Sequence, residues 1–466
     1  MNLFRRKTIE SVREVSNSSG LSKTLTAFDL ILIGLGAIIG TGVFVFTGAI
    51  AAKHSGPAVM LSYTIAGSIC ILVALAYSEL AVMLPTSGSI YTYCYVAFGE
   101  IFAWVMLAIL LLELTFGAAT VAAGWAGYVL PILQGAGLNI PEEFTKVPAE
   151  GGIVNLLAIF VVGFVTLIVY LGTKDSKKLN AALVFIKLGA IIAFVIAALP
   201  NFKQHNWDNF MPFGFGEVLT GSSILFFAFN GFTIIPTAAE ECKNPTRDIT
   251  IGIIGALVLT TLVYVLIGGL LTGIAPYSTL SGERALADAL KLNDSNVGAA
   301  IVSIGGICGM TTVLMMNIYG TSRIVYSIAR DGLLPKAFAK LHPKTDVPYI
   351  ALFSVAILAA ALTGFFPYKQ LGQLTSMGAL LDYIIVTIIV VMFRITLPNV
   401  ERKFKCPILF ILAPISIISC AFLLSKQLFD DNYMLTLEAK YLFGWIFLIF
   451  VLYFPISLFK GKSANL

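Results

Sequence analysis

Three ionisable side chains lie deep in apolar sequence. Lys187 sits in LNAALVFIKLGAIIAFVIAAL (179–199), Glu113 in ILLLELTFG (109–117) and Asp382 in LLDYII (380–385). A charge at the centre of a bilayer costs at least ~2.5 kcal/mol, so such groups face protein or water and mark ion or proton chemistry by default. Lys187 stands eight residues into its run, a rise of about 12 Å at 1.5 Å per residue, which makes snorkelling to an interface a stretch. An amine held there can take up and release a proton. Glu113 suits contact with a substrate, proton binding or pairing with a hydroxyl on a neighbouring helix, and Asp382 invites the same reading. Glu79 and Asp29 lie near run ends and read as structural. His54, His205 and His342 are expected in loops between the runs, so no histidine relay is expected within the membrane. The six cysteines lack metal-ligand spacing and read as small apolar residues.

Two stretches carry backbone breaks where a lipid-facing helix should avoid them. The first is LGAIIGTGVF (35–44), with Gly40-Thr41-Gly42; the other is FFAFNGFTIIP (226–236), with Asn230-Gly231 and then Pro236. Glycine tolerates irregular backbone and proline removes a helical donor. Glycines in membrane helices also serve close packing, but unwound backbone at membrane depth survives only where protein buries it or a cavity needs it. Half-helix N-termini aim free N–H groups at anions, and carbonyl ends face cations. Together the two breaks suit a zwitterion: carboxylate on the Gly40–Gly42 amides, ammonium on the exposed carbonyls.

The elements that must hold these groups follow from composition. Of 466 residues, 58% are hydrophobic and 12% charged, with mean hydropathy +0.91. That excludes a soluble enzyme, a disordered chain and a fibrous repeat. Apolar runs near the ~20 residues that cross a bilayer fall at 27–52, 57–83, 98–133, 153–171, 180–199, 217–239, 251–275, 297–322, 348–366, 371–393, 406–425 and 441–459. The first is too long for a signal-peptide core and lacks an A-x-A site, so it is expected to remain as a helix. The breaks fall in the first and sixth runs, five apart. That spacing matches transporters built from two five-helix repeats of inverted topology, whose first helices are discontinuous. The predicted fold is an all-α polytopic membrane protein of twelve helices. Residues 1–26 form a cytoplasmic segment, 27–199 the first five-helix repeat, 217–393 the second, 406–459 helices 11 and 12, and 460–466 a cytoplasmic tail.

Orientation follows from Lys and Arg between the runs. Twenty-one lie on the side of the termini and eight on the other, Lys187 belonging to neither. Both termini are therefore expected in the cytoplasm. The net charge of +5 is spread over short loops rather than gathered in a patch, which argues against nucleic acid.

Four motifs, in order along almost the whole chain, carry a family resemblance: GLGAIIGTGVF (34–44), YSELAVMLPTSGSIYTY (77–93), AAEECKNPTRDITIGI (238–253) and YGTSRIVYSIARDGLLPKAFAKLHPKTDVP (319–348). The chain resembles the amino acid–polyamine–organocation superfamily of transporters, and most of all bacterial members of the cationic amino acid transporter family. The resemblance implies the inverted five-plus-five bundle and amino acid uptake, often coupled to protons. It implies that Lys187 stands where sodium-coupled relatives hold an ion and takes part in proton coupling. It also places Glu113 near the substrate pocket and Phe227 over the substrate. The family often has an acid where this chain has Thr233, and an apolar residue where it has Asn230. That departure predicts a neutral, small or polar amino acid.

The expected site comprises Ile38, Thr41 and Gly42 from the first run, Glu113 from the third, Phe227, Ala228, Asn230 and Thr233 from the sixth, and Lys187 for the proton. No cofactor is expected beyond protons as the coupling ion. The expected setting is the bacterial inner membrane, with a small-molecule amino acid and the lipid bilayer as partners. Glu240 and Glu241, beside Lys243 and Arg247 at the inner end of the sixth run, and Arg323, Arg330 and Asp331 at the inner end of the eighth, form either a cytoplasmic charge network that locks and releases or a solvated anchoring surface. Rival readings are an amino acid or polyamine exchanger without net proton movement and a non-transporting sensor on the same fold. An enzyme is disfavoured because no nucleophile–base pair or metal cluster falls in the runs.

Overall fold

The computed structural model describes residues 4–17, 23–282, 284–429 and 434–463. Parts of the predicted N-terminal segment (1–3 and 18–22) and of the predicted tail (464–466) lie outside the described residues. Among the described residues the chain is helical, and extended pairing is limited to the isolated bridges Leu25–Cys242 and Phe429–Leu435. Among the described residues, eight helical stretches are long and apolar enough to cross a membrane, from Ala27–Met83 through Asn296–Arg330 to Leu409–Leu428. Two shorter apolar helices, Leu156–Tyr170 and Tyr349–Phe365, accompany them. This is a multi-pass membrane protein.

Burial separates centre from periphery. The apolar window of Ala27–Met83 is 94% buried inside the protein, that of Lys178–Asn201 only 33% and that of Leu409–Leu428 only 33%. The outward faces carry large apolar side chains such as Phe160, Ile196, Ile357 and Ile418, a surface that suits lipid rather than water. The first run therefore occupies the core, and the fifth and eleventh line its outside.

Both expected breaks are present. The first run forms a helix over Ala27–Ile38, started by a Thr26–Asp29 capping box. It leaves helical geometry at Ile39 (φ −77°, ψ 103°) and resumes as a wide π-helical turn at Gly42–Phe46. The sixth run is helical over Gly214–Leu225, tightens at Phe226–Phe229 and turns at Asn230–Gly231. It continues as a narrow 3₁₀ coil over Phe232–Glu241, which contains Pro236. Gly231 sits at φ +117°, and a Cβ there would approach the Ala37 carbonyl oxygen to 2.5 Å. The two interruptions thus touch each other. A third irregularity, a π-helical turn at Leu112–Phe116, carries Glu113; such turns recur at functional sites.

The acids read as structural are so. Asp29 caps its helix, and Glu79 binds Arg394 at 2.6 Å and Arg402 at 3.1 Å. Two of the histidines expected in loops lie in helical turns, His54 in Ala51–Ser55, where it pairs with Glu217 at 2.6 Å, and His205 in Gln204–Trp207.

Candidate functional site

Lys187 is fully buried. Its Nζ donates to the Leu35 carbonyl at 2.7 Å, the Ile39 carbonyl at 2.8 Å and Thr312 Oγ1 at 3.0 Å, with the Gly36 carbonyl at 3.3 Å. Helix ends leave their last carbonyls without intrahelical partners and carry partial negative charge. The break at Ile39 creates such an end inside the protein, and Lys187 caps it. The geometry removes the snorkelling alternative, since the amine points to backbone rather than to an interface. One side chain thereby ties the Ala27–Ile38, Thr173–Ala198 and Asn296–Arg330 helices together.

A second tie comes from Tyr264, which the sequence reading did not single out. Its hydroxyl lies 2.9 Å from both the Ile38 and the Ala228 carbonyls, one from each broken run. Tyr63 does related work, with its hydroxyl donating to the Gly42 carbonyl at 3.0 Å. An aromatic inside an apolar run gives no sign of where its hydroxyl lands, so only the fold reveals these partners.

A narrow cavity lies between the breaks. It is lined by Ile38, Thr41, Gly42, Gly117, Val121, Phe227, Asn230, Val313 and Asn317, and its open volume is about 10 Å³, roughly one water. Five of the predicted residues meet there: Ile38, Thr41, Gly42, Phe227 and Asn230. Ala228 stands behind the wall, so close that a Cβ on Gly42 would come within 2.4 Å of its own. Phe227 packs on Phe46 with ring centroids 5.0 Å apart. Glu113 and Thr233 do not line the cavity. They bind each other, Thr233 Oγ1 donating to Glu113 Oε1 at 3.2 Å.

Four lining residues were not expected from the sequence, Gly117, Val121, Val313 and Asn317, and of these Asn317 alone has a polar side chain. Its signal was an amide in the apolar run MMNIYG. Thr41 Oγ1, Asn230 Oδ1 and Asn317 Oδ1 are buried without a hydrogen-bond partner. Buried polar atoms left so are costly and are receptive to a ligand that donates to them.

The charges at the ends of these runs are not a solvated surface. Arg323 pairs with Glu241 at 3.0 Å, their side chains 1% and 4% exposed. Arg330 pairs with Glu240 at 3.1 Å, and Glu240 also accepts from the Ser87 amide at 2.9 Å. Lys7 pairs with Asp331.

Two interrupted helices that face each other across a small, partly polar cavity inside a multi-pass bundle define a membrane transporter. Residues 25–460 match the model of the family described as amino acid permease. The chain belongs to this family, within the amino acid–polyamine–organocation superfamily. It is 37% identical over 429 residues to the branched-chain amino acid permease BcaP of Bacillus subtilis (strain 168), covering 91% of this chain and 92% of that one. It is 38% identical to the methylthioribose transporter of the same organism, covering 87% and 88%. It is 34% identical to cationic amino acid transporter 4 of Mus musculus, covering 83% of this chain and 62% of that one. The family and these relatives are transporters, not enzymes.

Proposed function

We propose that the chain takes up small neutral amino acids across the bacterial cytoplasmic membrane, by alternating access and with proton coupling through Lys187. The carrying observation is the cavity between the two breaks, with Thr41, Asn230 and Asn317 presenting unpartnered polar atoms into one buried region. In this reading the first-turn amides at Gly40–Gly42 hold the substrate carboxylate. The Ile38 and Ala228 carbonyls, each sharing one Tyr264 hydroxyl proton, retain capacity for the ammonium. Phe227 closes over the solute by swinging from Phe46. Ala228 backs Gly42, while Thr233 and Glu113 shape the wall beyond Asn230. The uncharged Thr233, and the carboxamides of Asn230 and Asn317, support a neutral side chain over a cationic one. The twelve-helix count, the inverted five-plus-five arrangement and cytoplasmic termini belong to the same reading. Breaks five runs apart and the basic-residue bias support it.

Lys187 supports coupling because its amine holds the inner half of the first run in place. Loss or gain of its proton changes how many donors reach those carbonyls, and so biases one conformation over another. Proteoliposomes with an amino acid panel, with and without an inward proton gradient, test this. Accumulation of small neutral amino acids is expected, stimulated by the gradient, and Lys187→Ala should lose that stimulation. No accumulation, or full pH dependence in the variant, refutes the reading. One relative is named a methylthioribose transporter, so methylthioribose belongs in the panel as the second reading. Counterflow insensitive to any gradient would instead favour an exchanger.

A further inference from the structure

We propose that Glu113 and Asp382 hold one proton between them and exchange it during the transport cycle, as a proton-binding pair separate from Lys187. This rests on the transport reading above and adds a second titrating centre to it.

The two carboxyls come from different helices, Glu113 from the π-helical turn Leu112–Phe116 and Asp382 from Tyr368–Thr396. Both side chains are fully buried, and a Cβ on Gly378, one turn before Asp382 on the same helix, would stand 3.4 Å from the Glu113 Cβ, so the two acids lie where their helices pack together. Two carboxyls buried beside each other in apolar surroundings do not both ionise, so the pair keeps a proton. Among the described residues neither carboxyl has an ion-pair partner that could take the place of that proton. The ionisable groups that interact with the pair are Tyr77 from Val59–Met83, Tyr93 and Cys94 from Ser89–Ala97, and Tyr383 beside Asp382. None is basic. Both Asp382 oxygens and Glu113 Oε2 are buried without a hydrogen-bond partner, and so are the Tyr93 and Tyr383 hydroxyls.

Position links the pair to the solute site. Thr233, two residues past the Gly231 break, donates to Glu113 Oε1 at 3.2 Å. Gly117, one turn beyond Glu113, lines the cavity. When the sixth run moves to admit or release solute, the Thr233 contact changes and water gains access to the pair. The proton can then pass to that water, and one can return from the opposite side when the contact re-forms. No bond other than O–H is made or broken. The cavity touches neither carboxyl, which favours a proton over a metal ion or a cationic substrate side chain as the occupant.

Infrared difference spectra of the full-length protein in lipid test the pair directly. The wild type should show a protonated-carboxyl C=O band that shifts when saturating substrate is added. Asp382→Asn and Glu113→Gln should each remove or displace it. In proteoliposomes, the ratio of uptake with and without an inward proton gradient should fall to unity in Asp382→Asn, with Asp382→Glu restoring it. A band indifferent to both variants overturns the proposal. So does full gradient stimulation in both variants. Sodium dependence without a protonated band, or lysine uptake that alone disappears in Asp382→Asn, overturns it in favour of a metal ion or a substrate side chain. The wild-type spectrum needs no variant, so poor folding of one does not leave the question open. If no solute in the panel is transported, the transport reading fails while the band still reports the pair. If Lys187→Ala loses stimulation and Asp382→Asn keeps it, only the present proposal fails.

Discussion

At Gly231 the backbone adopts φ +117° with the Ala37 carbonyl oxygen 2.5 Å from where a Cβ would sit. Strain at such a backbone position is of order 1–3 kcal/mol for a non-glycine residue, and here the obstacle is backbone rather than a flexible side chain. Gly231→Ala should therefore lower the thermal unfolding temperature in detergent and abolish transport. Gly163→Ala, in Leu156–Tyr170 with nothing within 4 Å of the added Cβ, should be neutral or stabilising by up to about 1 kcal/mol. Equal behaviour of the two variants would contradict the observed contact between the breaks. This residue was legible in the sequence because Asn-Gly followed by proline has no ordinary place at membrane depth. Lys187, Glu113 and Asp382 were legible for the same reason, each being a charge in an apolar run. Asn317 and Tyr264 were not. Their sites depend on which face of a long apolar helix turns inward, and a helix buried in protein and lipid on all sides carries no polar stripe to report it.

The broken elements explain why their ends need such different partners. The end of Ala27–Ile38 is a carbonyl terminus and receives an amine; the restart at Gly42 is an amide terminus and faces the cavity. At the far end of the sixth run, Glu240 and Glu241 close the 3₁₀ coil and bind Arg330 and Arg323 near the end of the long Asn296–Arg330 helix. The sequence placed these charges at the same ends of two runs but left open whether they pair or stand in water. Exposure decides. Removing one partner of a buried pair strands the other and costs about 3–5 kcal/mol, whereas an exposed pair contributes about 0–1 kcal/mol. Arg323→Ala should thus destabilise the protein strongly in thermal or chemical unfolding. Lys146→Ala, whose pair with Glu142 is 46% and 81% exposed, should leave the unfolding temperature within error. Similar losses from both would mean that the Arg323–Glu241 pair is open to water.

For the whole molecule, composition alone fixed the solvent, and apolar runs with loop charges fixed an expected path through it. The run boundaries drift by a few residues, as with the sixth, expected at 217–239 and observed from Gly214 to Glu241. Hydropathy records where a segment can be apolar, not where caps and charge pairs end it. The path has a consequence that handedness of charge makes testable. With twenty-one basic residues on one side and eight on the other, the stretch 336–344 should face the cytoplasm and the stretch 142–150 the outside. An impermeant thiol reagent applied to intact cells should label a cysteine introduced at Glu150 and spare one introduced at Lys340. Inside-out vesicles should reverse the pattern. The native cysteines are buried except for Cys308, which is partly so, and replacing Cys308 removes that background. Labelling of both positions from one side would require an even number of crossings between residues 150 and 340, where the expected path has five. That outcome would undo the orientation and the inverted pairing of the two breaks, while leaving the cavity between them intact.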